Sequence, residues 1–345
     1  MAEPKIGPRR RFPFRFEKMW LSHPNLSSSV KDWWNVQVDG SAMFQVSKKL
    51  RHVKEEVKKW NREVFGDIFV QKFAIQEELG LIQDKDQNEG YVNDNFSKES
   101  EVFSKYHKII AQEETFWRKR SRSLWLKDGD KNLRFFHIST LKHMAANRIG
   151  HLVKNGRRID NEDEISGVVV EFFAELLKKD TLLDLEAQNM LVDIIPKVLS
   201  DNQNHNIDVI PSKEEIRSVV FSFDGSKAPG PYGFPMFFFQ HFWEVVGEDV
   251  SNVVKEFFGA RSIQKELNAT FIFLIPKKQG IDSLDAFRPI ILCNSFYKII
   301  SKVLTSRMLN ILPLLISPQQ NGFAPGSQIL DSIILFMKTF IHFWR

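Results

Sequence analysis

Across residues 41–66 the apolar positions Val46, Leu50, Val53, Val57, Trp60 and Val64 recur three or four apart, with Lys and Glu between them. That spacing predicts an amphipathic helix. A second helix is expected over 68–82, a polar break containing Gly90 over 84–95, and a third helix from Phe96 through Phe103, Tyr106, Ile109, Ile110 and Trp117. Together these make a helical hairpin or small bundle. The period then drops to two: residues 148–159 alternate apolar and polar around Asn155-Gly156, a dipeptide suited to the positive φ angles of a tight hairpin turn. Residues 162–178 return to helical spacing, with Ile165, Val168, Val169, Phe172, Phe173 and Leu176 on one face.

Residues 1–40, rich in Arg, Trp and Ser, read as loop-like around Trp20, Trp33 and Trp34 and hold no independent domain. Residues 196–211 are polar and Asn-rich and read as a linker. Ser212 with Glu215 three positions on makes a capping box that opens a helix through Ile216, Val219 and Val220. Three prolines and two glycines between Ala228 and Phe237 forbid regular structure, so 226–235 is a shaped loop. One helix is expected over 236–258. Two apolar runs, 269–275 as a buried strand and 287–292, make a second hairpin, and a long helix follows over 295–316 until Pro318. A last helix is expected from Ile329.

The chain has 345 residues with globular composition, 43% hydrophobic and 26% charged, enough for two or three units that each bury a core. No run approaches eighteen apolar residues, so no membrane span is expected, and Arg9, Arg10, Arg11 and Arg15 precede no apolar signal core. Cys293 is the one cysteine, which rules out internal disulfides and multi-cysteine zinc sites. An intracellular location, cytoplasm or nucleus, follows as the expectation. The net charge of +5 is unevenly spread: residues 117–158 hold twelve Lys or Arg against two Asp, which leaves the remainder negative. In that window and directly before it, Phe116, Trp117, Trp125, Phe135 and Phe136 interleave with Arg118, Lys119, Arg120, Arg122, Lys127 and Arg134. Cations pair with phosphates and aromatic faces stack on unpaired bases, so the mixture suits RNA or single-stranded DNA. The bland alternative is a solvated helical face, with Phe135 and Phe136 in the core.

Several motifs resemble the reverse transcriptase polyprotein of LINE-type, non-LTR retrotransposons, particularly the plant branch. Phe14-Arg15-Phe16-Glu17 with Met19-Trp20 resembles the segment after that family's endonuclease domain. Trp125-Leu126-Lys127-Asp128-Gly129-Asp130, Phe135-Phe136-His137 and Asn147-Arg148-Ile149 resemble its connecting region. Lys227-Ala228-Pro229-Gly230-Pro231 with Gly233-Phe234 resembles its opening polymerase motif. Leu274-Ile275-Pro276-Lys277, Phe287-Arg288-Pro289-Ile290, Leu292-Cys293-Asn294 and Tyr297-Lys298-Ile299-Ile300 resemble its fingers. The family usually has Asp where this chain has Tyr232, and Arg where it has Ser327.

The resemblance implies an α+β, mainly helical fold: a helical connector followed by an incomplete reverse-transcriptase fingers region with β-hairpins. The corresponding units are 1–40, a remnant following an endonuclease; 41–195, the basic connector; 196–211, a linker; and 212–345, the fingers part. It further implies that Lys277 and Arg288, on opposite limbs of the second hairpin, bind a nucleotide's phosphates. Arg118, Lys119, Arg120, Arg122, Trp125, Lys127 and Arg134 are the nucleic-acid candidates. No catalytic or metal-ligating residue is assigned, because two-metal polymerases need clustered carboxylates and no Asp-Asp dipeptide occurs anywhere. Magnesium is implied for the complete family enzyme alone, whose catalytic palm motifs are expected beyond Arg345. The expectation is therefore a polymerase fragment that binds nucleic acid weakly without polymerising, against two alternatives: a non-enzymatic RNA-binding protein, or a decayed element product.

Overall fold

Leu26, Val30 and Trp34 lie four residues apart and form the buried stripe of α1 (Leu26–Trp34), within a segment expected to be loop. The computed structural model describes residues 13–89, 93–121, 133–178, 190, 194, 196–278 and 280–316. In α2 (Ala42–Trp60) the Ser41 hydroxyl accepts from Phe44 N–H, and Val46, Leu50, Val53, Val57 and Trp60 are buried as their spacing predicts. A π-helical turn over Asn61–Phe65 then shifts the phase by a residue. Phe65 consequently faces the core, and Val64, expected inside, is 54% exposed.

Helices α3 (Ile68–Glu89) and α4 (Asn93–Ser121) form an antiparallel hairpin, stitched by Lys72–Glu113, Gln76–Tyr106 and Gln83–Glu99. The polar stretch from Asp84 stays helical to Glu89, so the break is shorter than expected, and Gly90 lies outside the described residues. Helix α5 (Leu133–Ala146) packs on α4 through His137, whose ring lies 4.5 Å from that of Trp117. Strands β1 (Leu152–Lys154) and β2 (Arg157–Ile159) turn at Asn155 and Gly156, with φ of 52° and 76°, as that dipeptide requires. Helix α6 (Glu162–Leu176) follows.

The expected linker contains α7 (Asp201–Asp208), opened by a capping box between Ser200 and Gln203. After α8 (Lys213–Ser222), the single helix expected over 236–258 is two, α9 (Met236–His241) and α10 (Trp243–Ala260), broken at Phe242. A short α11 (Lys265–Asn268) leads into the antiparallel strands β3 (Thr270–Pro276) and β4 (Phe287–Cys293). The chain continues through α12 (Ser295–Met308) and α13 (Leu312–Leu315), two elements where one long helix was expected. The helix expected from Ile329 lies outside the described residues.

The architecture is mainly helical with two small antiparallel sheets. One apolar cluster joins Phe16, Trp20 and Val30 to Leu50 and Val57 of α2, Val220 of α8, Phe238, Val250 of α10 and Ile299 of α12. Residues that the sequence apportions to different units thus share a core, each buried large side chain contributing about 2 kcal/mol. Polar ties reinforce it: Asp249 on α10 accepts from Trp34 Nε1 at 2.6 Å and Lys49 Nζ at 2.8 Å, and Glu256 accepts from Met43 N–H at 2.9 Å. A second cluster places Phe287 and Leu274 of the β3–β4 hairpin against Leu152, Ile159 and Ile165. Val153 N–H donates to Asp282 O at 2.7 Å, so the small hairpin braces the turn of the larger one.

Candidate functional site

Asn294 follows β4 and precedes α12, yet its side chain does not cap that helix. It is 2% exposed, and its amide nitrogen donates to the carbonyls of Glu266, Leu267 and Ala269 at 3.2, 3.2 and 3.0 Å. Its amide oxygen accepts from Tyr232 N–H at 3.1 Å. The base of the β3–β4 hairpin is thereby fastened to the shaped loop at 226–235. Two more side chains from the same turn hold that loop: Ser295 Oγ donates to Phe234 O at 2.9 Å, and Lys298 Nζ donates to Ala228 O at 3.0 Å. Burial pushes the Lys298 ammonium below its ordinary pKa.

The loop's glycines permit the approach. A Cβ on Gly230 would lie 2.5 Å from Asn294 N, and Gly233, at φ +82°, would drive one into the Phe14 carbonyl. On the same side Phe16 N–H donates to Gly233 O at 2.8 Å. Three motif groups far apart in sequence therefore meet at one junction. Tyr232 is the misfit: its hydroxyl oxygen is buried with no hydrogen-bond partner among the described residues, which costs about 1–3 kcal/mol.

The register of β3 on β4 pairs Ile275 with Arg288, and Lys277 N–H donates to Ala286 O. Lys277 and Arg288 thus lie diagonally on one face, about 7–8 Å apart at the backbone, close enough for long side chains to share one ligand. Both are exposed, although Lys277 Nζ now donates to Asp285 O at 2.7 Å. The strand expected to be buried is half open, with Phe273 and Ile290 exposed on that face beside the two cations.

The basic connector divides sharply. Lys119 points inward: its side chain is 10% exposed, and Nζ lies 3.4 Å from Phe16 O and 4.7 Å from the Phe237 ring centre. Burial foremost, and then Arg15, lower its pKa to about 7 against the pull of Glu17. Arg120 stacks 3.4 Å over Phe116 and pairs with Glu17 at 2.9 Å. Arg118 is half-buried on α4, and Arg134 is exposed on α5. Arg122, Trp125 and Lys127 lie outside the described residues. Further along, Arg148, Lys154, Arg157 and Arg158 pair with Glu162, Glu171, Glu164 and Asp160. Of the aromatics, Phe136 is buried and Phe135 is 37% exposed.

Among the described residues no three His, Cys, Asp or Glu side chains converge to hold a metal. Among them, too, no helix is long and apolar enough to cross a membrane. Sequence reading missed Asn294 as an organiser and Glu17 as the partner of the basic helix. Glu17 stood in view as the one acid between Arg15 and Lys18.

No protein-family model matches the chain. Over 227 residues, 66% of its length, it is 27% identical to the Transposon TX1 uncharacterized 149 kDa protein of Xenopus laevis. The match covers 17% of that protein, so the chain spans about a sixth of its relative. The similarity supports descent from a transposable element.

Proposed function

From that similarity to a transposon protein, we propose that the chain is the connector and fingers part of a LINE-type RNA-directed DNA polymerase, which binds nucleic acid without incorporating nucleotides by itself. The observation that carries this reading is the Asn294 junction, where the segments resembling the family's post-endonuclease, opening polymerase and fingers motifs pack together. Residues 41–195 act as connector and 212–345 as fingers. In this reading Arg288 grips phosphate oxygens through paired hydrogen bonds and Lys277 supplies a point charge beside it. The absence of any Asp-Asp pair in the sequence supports binding without chemistry. Primer extension on an RNA template with magnesium or manganese tests it. Retained template with no incorporated nucleotide is expected, and template-dependent extension by this chain would overturn the binding-only reading.

A further inference from the structure

Helix α2 has two unlike sides. Val46, Leu50, Val53 and Val57 lie in the core, and the opposite side carries Lys48, Arg51, Lys54, Lys58 and Lys59, with Glu55 among them. Spacings of three and four residues keep these cations on one side of the helix. Lys54 is half-buried and the other four are exposed. Glu55 takes Lys58 at 2.9 Å, whereas Lys48, Arg51, Lys54 and Lys59 have no carboxylate within ion-pair distance among the described residues. Glu56 lies further round the helix, on the side of Lys49, seven residues before it. The contrast with Arg148, Lys154, Arg157 and Arg158 is plain, since each of those is matched by an acid. Two rings reach this side, and both already hold ammoniums. Lys48 Nζ lies 5.2 Å from the centre of Phe44, and those of Lys54 and Lys58 lie 5.6 and 6.0 Å from the centre of Phe14.

We propose that the outward side of α2 is a docking track for the phosphate backbone of a nucleic-acid duplex. The proposal goes beyond the polymerase reading, since it concerns neither the β3–β4 hairpin nor the basic window at 117–158. From Lys48 to Lys59 the helix rises about 16 Å, a length over which duplex DNA presents about ten charges, so several phosphates come within reach of the long side chains at once. The core on the other side of α2 holds that row of cations straight. A single strand is held in large part by bases stacked on free aromatic faces, and here the rings carry ammoniums instead. A protein partner would bury an apolar centre, but Phe44 is the sole large apolar side chain that α2 exposes. Phosphate contacts carry no base information, so the track binds without regard to sequence.

Fluorescence anisotropy of the full chain with a short labelled DNA duplex of arbitrary sequence, read as salt is raised, tests the track. Saturable binding is expected, with log K falling against log salt at a slope of about −4. Lys48→Gln, Arg51→Gln and Lys59→Gln together, all at exposed positions clear of the core, should weaken binding at least about tenfold and make the slope shallower by about 3. The single reversal Arg51→Glu, the mildest change to the fold, should by itself weaken binding about tenfold. No saturable duplex binding at low salt, or affinity and slope unchanged in these variants, overturns the track. Polyglutamate that displaces the duplex at equal charge concentration assigns the surface to an acidic protein and overturns it too. So does single-stranded RNA that loses as much affinity as the duplex in the triple variant. Single-stranded RNA that fails to bind at all, while the variants still weaken duplex binding, counts against the polymerase reading and supports the track.

Discussion

Lys119 and Arg120 are neighbours in sequence, yet one ammonium lies under the N-terminal segment and the other side chain reaches Glu17 near the surface. A window count of charge cannot distinguish them, because direction depends on where α4 meets its neighbours. The same count misled further along, where Asp160, Glu162, Glu164 and Glu171, just beyond the basic window, pair with its cations. Such exposed pairs contribute about 0–1 kcal/mol each. Lys119 has a measurable signature of its own. Its folded pKa, about 7, lies below the unfolded value, so the folded chain holds fewer protons between about pH 7 and pH 10. Stability should therefore rise with pH across that window, the full penalty applying below pH 7. Chemical denaturation of wild type and Lys119→Met at several pH values should show a difference that shrinks by up to about 4 kcal/mol as pH rises. A pH-independent difference would mean that Lys119 titrates normally.

Hydrophobic spacing located most helices, since a stripe at three and four residues has few other uses. It failed where phase or context changed. The π turn at Asn61–Phe65 exchanges Val64 for Phe65 without altering the apolar count, so sequence alone showed no sign of it. Helix α1 was hidden by serines between its buried positions, and α7 by asparagines that ordinarily mark loops. The Asn155-Gly156 hairpin was legible because its turn demands positive φ. How elements join was the least visible. Asn294 looked like an ordinary strand-end residue, but its amide satisfies three carbonyls and a backbone N–H at once. Asn294→Asp keeps the shape, removes the donors and faces a carboxylate with carbonyls, so a loss of about 2–5 kcal/mol is expected in denaturant unfolding. Hydrogen exchange should rise first in β3, β4 and the 226–235 loop; a change below about 0.5 kcal/mol would show that the junction does not depend on Asn294.

At the scale of the molecule, the N-terminal segment, the connector and the later helices share a core, and the motifs that resemble a polymerase's fingers meet at its edge. On the surface of that assembly Lys277 and Arg288 of the β3–β4 hairpin and Arg134 of α5 are exposed. In the proposed function, this assembly holds nucleic acid largely through phosphate contacts. The most direct measurement is the affinity of the full chain for labelled single-stranded RNA as salt is raised. Neutralising three to five phosphates should make log K fall linearly with log salt, with a slope of about −2 to −4. A flat dependence, or no saturable binding at low salt, would contradict the account.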